Sequence, residues 1–321
     1  MKKQIVIEME WESIKIRDRS LALSQPWQAD EDLLESVRRF GILVPLEVCR
    51  QPDGCCQVVH GFRRLEAARQ AGLEKLPVRL LEGPEEDLFL AALEANRTGR
   101  SLTDLEAAAA LGILRDRFGY EEKRLIEEVL PLLGRRADRR TLHLLLQVWR
   151  LDEELKKGIH QGLEAELAVR LAKRPSQLRE WFLPRVERYR LGRNKQKEFF
   201  ELLDDLWAAS GQESLETFWE ESGLASVEAR GRTGPDRFAA LLARLRRLRY
   251  PALHRHRSRF NDLRRRLQLP SAVTLREPPH FEGGSFQIFL TVSRPDELAH
   301  SAEALLRAAR DPAFGEMCRL L

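Results

Sequence analysis

Residues 58–68 read V-V-H-G-F-R-R-L-E-A-A. Two valines closing an apolar run (CCQVVH, 55–60) read as a strand. The segment after Gly61 reads as a helix to Ala71, stopped by Gly72. A strand that turns through glycine into a helix exposes backbone N–H groups, and Arg63 and Arg64 add two guanidiniums, so the corner suits a phosphate. The plainer reading is a tight turn at Gly61 followed by solvated arginines. His60 is either structural or a general base. Upstream, LVPLEVC (43–49) predicts a second strand, joined to the first through the Pro52-Asp53-Gly54 turn. Before it, Leu33, Leu34, Val37 and Phe40 share one face of a helix over 31–40, ended by Gly41, and residues 4–9 predict a short strand. Downstream, PVRLL (77–81) predicts a further strand. Residues 1–100 are thus an α+β unit.

The pattern then becomes helical. A helix is expected from Glu85 to about Asn96. Thr103 with Glu106 forms a capping box that opens the next helix, and helices continue to about residue 266. Gly119, Gly134, Gly158 and Gly162 punctuate them, and Pro175 and Pro184 mark expected breaks. Within 121–148, two helices flank Gly134, with Arg135, Arg136, Arg139 and Arg140 placed at the start of the second. This is the pattern of a helix-turn-helix that meets DNA through the N-terminus of its recognition helix, with Thr141 and Gln147 as polar readers. A basic helix packed through Leu142, Leu145 and Val148 is the alternative. Phe199, Phe200, Leu203, Leu206, Trp207, Phe218 and Trp219 predict a packed helical core in 184–233. Residues 236–266 hold eleven arginines against two aspartates. Arg246, Arg247 and Arg249 among them suit sequence-independent DNA contact, since neutralised phosphates release counterions. Strands over 272–276 and 285–292, joined at Gly283-Gly284, precede a final helix from Pro295. The expected domains are 1–100, 101–183, 184–266 (a helical connector) and 267–321 (a small α+β unit).

A chain of 321 residues exceeds one ordinary core. With 43% hydrophobic, 32% charged and 7% aromatic residues, it reads as globular and helix-rich. The net charge is only +4, so local arginine clustering says more about an anionic partner than the total does. Cys49, Cys55, Cys56 and Cys318 form no C-x-x-C pair, which argues against a zinc site or disulfide framework. No apolar run reaches the roughly 18 residues of a membrane span. The expectation is a soluble, cytoplasmic protein with no membrane partner.

The order F-G-I-L-V-P-L-E-V (40–48), strand pair, G-F-R-R-L-E-A-A-R-Q-A-G-L (61–73), P-V-R-L-L (77–81) resembles the N-terminal domain of ParB-like partition proteins over roughly residues 5–115. The resemblance implies a ParB/sulfiredoxin-like fold whose glycine-arginine corner contacts the phosphates of CTP, with the nucleotide governing closure of a dimeric clamp on DNA. It assigns His60, Gly61, Phe62, Arg63 and Arg64 to the nucleotide. The family's Glu-Asn-x-x-Arg motif aligns with residues 95–99, which adds Asn96, on the phosphate and Mg side, and Arg97. Here Ala95 replaces the acidic residue and Gly99 the arginine. Glu94 supplies a catalytic carboxylate only with a one-residue shift, so CTP hydrolysis stays an open question. A sulfiredoxin-type reaction is excluded because Phe62 stands where that chemistry needs cysteine. Related serine kinases keep a catalytic His60 open.

The resemblance continues through L-D-E-E-L-K-K-G-I-H-Q-G-L-E-A-E-L-A-V-R-L-A (151–172). The last segment resembles the strand-strand-helix unit by which ParB proteins dimerise. The implied protein is a nucleoid-associated homodimer that binds double-stranded DNA, works in partition of a chromosome or plasmid, and can have a ParA-type ATPase as partner. Two other readings stay open. One is a transcriptional or plasmid-copy regulator that has lost nucleotide control, and the other is a phosphotransferase or nuclease using the N-terminal fold.

Overall fold

The computed structural model describes residues 6–24, 31–99, 101–230, 233–278, 281 and 284–320, with the side chains of 97–99 outside that description. The chain divides into two compact units, residues 1–197 and 198–321. The arginine-rich helices and the final strand-strand-helix segment therefore share a unit.

The first unit opens with β1 (Val6–Glu10), α1 (Glu31–Phe40), β2 (Leu46–Arg50), β3 (Cys56–His60), α2 (Phe62–Ala71) and β4 (Lys75–Leu81). The mixed four-stranded sheet has the order β1-β4-β2-β3. β2 and β3 form the expected antiparallel hairpin, with Val48 opposite Val58, whereas β2 runs parallel to β4. A parallel pair needs a crossover, and β3 with α2 provides it. Leu46, Val48, Val58, Leu76 and Val78 are fully buried in the sheet. The strand expected from residue 43 begins at Leu46, because Leu43 and Val44 are exposed in the loop before it.

The remainder of this unit is helical. α3 (Glu85–Gly99) leads to α4 (Asp104–Asp116), whose residues Leu105 to Leu114 are all buried. The capping box is present: the Thr103 hydroxyl accepts from the Glu106 N–H at 3.2 Å, while the Glu106 carboxylate accepts from the Thr103 N–H at 2.9 Å. α5 (Glu122–Arg124) runs through a π-turn, Leu125–Val129, into the short α6 (Leu130–Leu132). Pro131, with no N–H to give, lies just beyond the widened turn. α7 (Arg139–Trp149) packs against α4, and a Cβ added at Gly112 would meet the Trp149 indole at 2.4 Å. Only glycine admits the indole there. α8 (Glu153–His160), α9 (Ala165–Leu171) and α10 (Ser176–Tyr189) follow. The break expected at Pro184 does not occur, since Pro184 lies inside α10. Buried Gln196, on α11 (Arg193–Ser210), fixes the next turn by donating to the Gly162 and Leu191 carbonyls at 2.8 and 2.7 Å.

The second unit holds the rest of α11 with α12 (Leu215–Glu221), α13 (Leu224–Arg230), α14 (Gly234–Arg249) and α15 (Pro251–Arg266). Phe199, Phe200, Leu203, Phe218 and Trp219 are buried as expected, while Leu206 and Trp207 are half-buried. The Phe199 ring meets Phe238 edge-on, with centroids 5.4 Å apart. β5 (Val273–Arg276) and β6 (Gln287–Leu290) pair antiparallel, followed by α16 (Pro295–Arg310) and α17 (Pro312–Cys318). Gly283 of the expected turn lies outside the described residues. A core of Phe260, Leu263, Leu267, Leu275, Ala308 and Met317 ties α15 to β5, α16 and α17.

Candidate functional site

The β3–α2 corner has the form expected of an anion site. Gly61 adopts φ 106°, ψ 20°, the left-handed region, and no side chain caps α2. A Cβ on Gly61 would come within 2.8 Å of Leu46 Cδ2 and 3.1 Å of Arg64 Nη2, so the corner is tight as well as left-handed. Gly61, Phe62, Arg63 and Arg64 line a cleft of about 250 Å³ with His60, Ser24, Phe89, Asn96 and Glu106. First-turn N–H groups project from the start of a helix, so this cleft meets the positive end of α2.

The side chains around the corner divide into two groups. Arg64 donates from Nη1 to the Val44 and Pro45 carbonyls at 2.5 and 2.6 Å, and its Nη2 lies 3.4 Å from His60 Nδ1. It therefore ties the exposed 43–45 loop to α2, and burial pulls its pKa down. Glu47 Oε2 is 3.3 Å from the same His60 Nδ1, and Glu47 Oε1 is 3.4 Å from Arg79 Nη1. His60, then Arg79 and Arg64, hold the Glu47 carboxyl below the ordinary range against its burial. His60 Nδ1 can donate to Glu47 or accept from Arg64, but not both at once. Phe62 is buried, with the Arg19 guanidinium 5.3 Å from its ring centroid, and Arg19 also donates to the Ser24 carbonyl at 2.9 Å. Arg19 and Glu47 carry no local sequence signal, because Arg19 meets the Phe62 ring from a loop far upstream and Glu47 meets His60 and Arg79 on the neighbouring strands.

α3 forms the opposite wall. It is continuous through Gly99, so residues 94–99 are helix rather than the connection to the next helix. Asn96 lines the cleft and donates from Nδ2 to the Ala92 carbonyl at 2.8 Å. Its Oδ1 is the atom that can face a ligand or metal. Glu94 is not among the lining residues, and the Arg97 side chain lies outside the described residues. The one lining carboxylate, Glu106, is engaged by Thr103. Among the described residues no group of three His, Cys, Asp or Glu side chains could hold a metal. The cleft thus suits a polyphosphate through backbone and guanidinium groups and offers a divalent ion no cluster of carboxylates among the described residues.

Residues 2–97 match the family described as the ParB N-terminal domain. The chain carries a ParB N-terminal domain. It is 30% identical over 135 residues to a probable chromosome-partitioning protein ParB of Pseudomonas putida, covering 42% of this chain and 44% of that one. To a probable plasmid-partitioning protein ParB of Thermus thermophilus it is 31% identical over 160 residues, covering 41% and 54%. The chain thus spans about half the length of these relatives. A C-terminally truncated ParB from Caulobacter crescentus complexed with CTP-γ-S aligns at 25% identity and TM-score 0.28, covering 53% of this chain and 93% of that one. The same protein complexed to the centromeric parS site aligns at 21% and 0.32, covering 61% and 98%.

Beyond the ParB N-terminal domain, the described helices correct the placement of two arginines. The second helix of the expected helix-turn-helix, α7, starts at Arg139, not at Arg135, because Asp138 is its N-cap and accepts from the Thr141 N–H at 2.8 Å. The Thr141 hydroxyl turns to the same carboxylate at 3.2 Å. Arg135 lies in the turn, where it donates to the Leu102 carbonyl at 2.7 Å and pairs with Asp104 at 2.9 Å. Arg136, Arg139 and Arg140 have side chains 88%, 74% and 85% exposed, paired with Asp138, Glu122 and Glu166. Exposed pairs of this kind are weak and can be exchanged for phosphates. Gln147 is exposed on the same helix.

A second set of contacts joins α3 of the ParB N-terminal domain to the segment from the end of α4 to α5. Arg117 grips Glu85 with Nε and Nη2 at 2.8 and 2.7 Å. The Tyr120 hydroxyl donates to Glu86 Oε1 at 2.6 Å, and the Arg124 guanidinium stacks 3.7 Å from the Tyr120 ring centroid. Burial, then the bond to Glu86, push Tyr120 up to about 12. In the second unit, Arg246 grips Glu198 through Nε and Nη2 at 2.5 and 2.8 Å, and Arg249 pairs with Asp205 at 3.2 Å. Arg257 and Arg259 pair with Glu277 and Glu316, and Arg244 donates to the Ser222 carbonyl. Several of the clustered arginines therefore bind elements of their own unit together, while Arg247 has no ion pair among the described residues.

Proposed function

We propose that this chain is a ParB-type, DNA-binding partition protein that binds CTP at the β3–α2 corner and couples the nucleotide to a dimeric clamp on double-stranded DNA. The carrying observation is the uncapped, left-handed Gly61 corner opening on a cleft lined by Arg63, Arg64 and Asn96. When bound, the triphosphate supplies the negative charge that the uncapped helix end and guanidiniums complement. Arg63 and the first-turn N–H groups of α2 hold phosphate oxygens, Arg64 fixes the 43–45 loop over the corner, and the Asn96 Oδ1 faces the phosphate or Mg side. Arg136, Arg139, Arg140 and Thr141 meet duplex DNA at the start of the recognition helix. Arg246, Arg247 and Arg249 add sequence-independent contact, with Arg247 the readiest of the three because the other two are ion-paired. The C-terminal strand-strand-helix unit pairs two copies, and a ParA-type ATPase is the expected motor partner.

The test is to incubate the purified full-length protein with fragmented genomic DNA, with and without Mg·CTP, and to sequence the retained fragments. One short site whose enrichment spreads into flanking DNA only with CTP is the expected result, and Arg63→Ala should abolish the spreading while sparing the site. A second reading, a regulator that binds DNA without nucleotide control, is favoured by Ala95 and Gly99 at the third motif and by Asn96 spending its amide on its own helix. It predicts a sharp peak that CTP leaves unchanged.

A further inference from the structure

The second unit holds a cleft that duplex contact does not account for. Its volume is about 600 Å³, and it is lined by Arg246, Arg247, Tyr250, Leu253, His254 and Arg257 together with Ala243 and Glu198. Tyr250 stands at the elbow between α14 and α15 with φ −127° and ψ 63° and is 48% exposed. Both of its peptide groups are engaged: its N–H donates to the Arg246 carbonyl at 2.8 Å, and its carbonyl accepts from the His254 N–H at 3.0 Å. Pro251 follows as the first residue of α15 and fixes the backbone beyond it. The elbow is therefore rigid, and the ring is presented rather than packed away. The Arg249 guanidinium lies 5.4 Å from the ring centroid, and Asp205 holds that guanidinium in place.

A half-exposed aromatic ring set among guanidiniums matches a nucleotide unit, with a base stacking on the ring and phosphates meeting the cations. A duplex keeps its base faces stacked and offers such a ring nothing. An unpaired strand offers a face at every residue. An apolar protein surface is disfavoured by the charge of the walls, and a free mononucleotide gains little in an open cleft. We propose that the α14–α15 elbow binds single-stranded nucleic acid, with Tyr250 as the stacking platform and Arg247, His254 and Arg257 on the phosphates. This rests on the reading that the arginine-rich helices contact nucleic acid, and it names the form of that partner. Arg257 would leave Glu277 to do so, whereas Arg247 has no ion pair to break among the described residues.

The experiment uses the full chain and a fluorescently labelled 20-residue oligothymidine, followed by anisotropy, with an unlabelled 20-base-pair duplex and thymidine monophosphate as competitors. Tyr250→Ala should weaken oligothymidine binding roughly five- to hundred-fold, the range of one lost base stack. Tyr250→Phe should stay within about two-fold of the parent protein, since the ring remains. Duplex binding should be unchanged in both, and Arg247→Ala should flatten the salt dependence for the single strand. An Arg139→Ala/Arg140→Ala protein separates the sources. If it loses the duplex and keeps the oligothymidine, the elbow is an independent site. If it loses both, neither the single-strand site nor the sequence-independent reading stands. If it keeps residual affinity for duplex and Tyr250→Ala leaves the oligothymidine unaffected, the arginine reading survives and the stacking platform does not. Competition by thymidine monophosphate at concentrations matching the oligomer would overturn the proposal in favour of a mononucleotide site.

Discussion

Gly61 shows how much can hang on one residue. Its φ of 106° is costly for an L side chain, and an added Cβ would press on Leu46 and on the Arg64 guanidinium. Gly61→Ala should lower stability by roughly 1–2 kcal/mol, the cost of a left-handed non-glycine residue, and should remove CTP binding in isothermal titration calorimetry. A variant that folds and binds CTP with unchanged affinity would remove the corner from the site. Tyr120 offers a pH test. Its folded pKa of about 12 lies above the ordinary 10, so the fold prefers the neutral phenol. That contribution is complete below about pH 10 and is lost as pH rises through about 12. Tyr120→Phe should cost about 1.5–3 kcal/mol at neutral pH, the worth of a hydrogen bond to a charged group, and should delete a phenolate that appears at about pH 12 in an ultraviolet titration. If all phenolates appear by pH 10.5, the bond to Glu86 does not exist in solution. The glycine was legible in the sequence because its neighbours, strand before and helix after, are local. Arg135 was not: the sequence set it at the start of the second helix, and its place in the turn, bonded to Leu102 and Asp104, depends on residues about thirty positions away in the chain.

At the scale of elements, the readable ones were those whose signals are short-range. The capping box at Thr103, the hairpin at Asp53-Gly54 and the helix stops at Gly41 and Gly72 all follow from neighbouring residues. The Pro184 break failed because a proline disturbs only the turn before it, and the buried Phe182 and Val186 on either side hold α10 together. The parallel pairing of β2 with β4, and the cleft wall made by α3, needed tertiary contacts that no local pattern encodes. α4 is buried from Leu105 to Leu114, starts at the Thr103 cap and holds Glu106 in its first turn. Thr103→Ala should therefore cost about 1 kcal/mol, typical of a lost N-cap, measured as a shift in denaturation midpoint. It should also loosen Glu106 and weaken nucleotide binding, because the freed carboxylate then faces the phosphates. Normal CTP affinity in the destabilised variant would show that Glu106 serves the helix alone.

The whole molecule poses a question of assembly. Among the described residues, Ile288, Phe289 and Leu290 on β6 and Leu298 and Leu306 on α16 are 38–61% exposed, although Leu275 and Ala308 of the same segment are buried. Apolar side chains clustered on one small sheet and the helix after it mark an interaction surface. A groove of about 380 Å³ lined by Leu269, Ile288, Leu305, Leu306 and Phe314 runs beside them. In the proposed dimer a second copy presenting the same face would cover both at once, which is the economy of a two-fold interface. Ile288→Asp and Leu306→Asp, each at an exposed position, should leave the helical circular dichroism intact and shift the protein from dimer to monomer in sedimentation equilibrium. The consequence for function follows from geometry. In the proposed clamp, closure at the N-terminal domains encloses DNA only if the other ends are also joined, so the monomeric variants should still bind CTP and short duplexes while losing retention on closed circular DNA. Parent protein that is already monomeric would overturn the pairing itself, and variants that stay dimeric would move the pairing surface elsewhere. Retention that survives in a proven monomer would argue against encirclement itself.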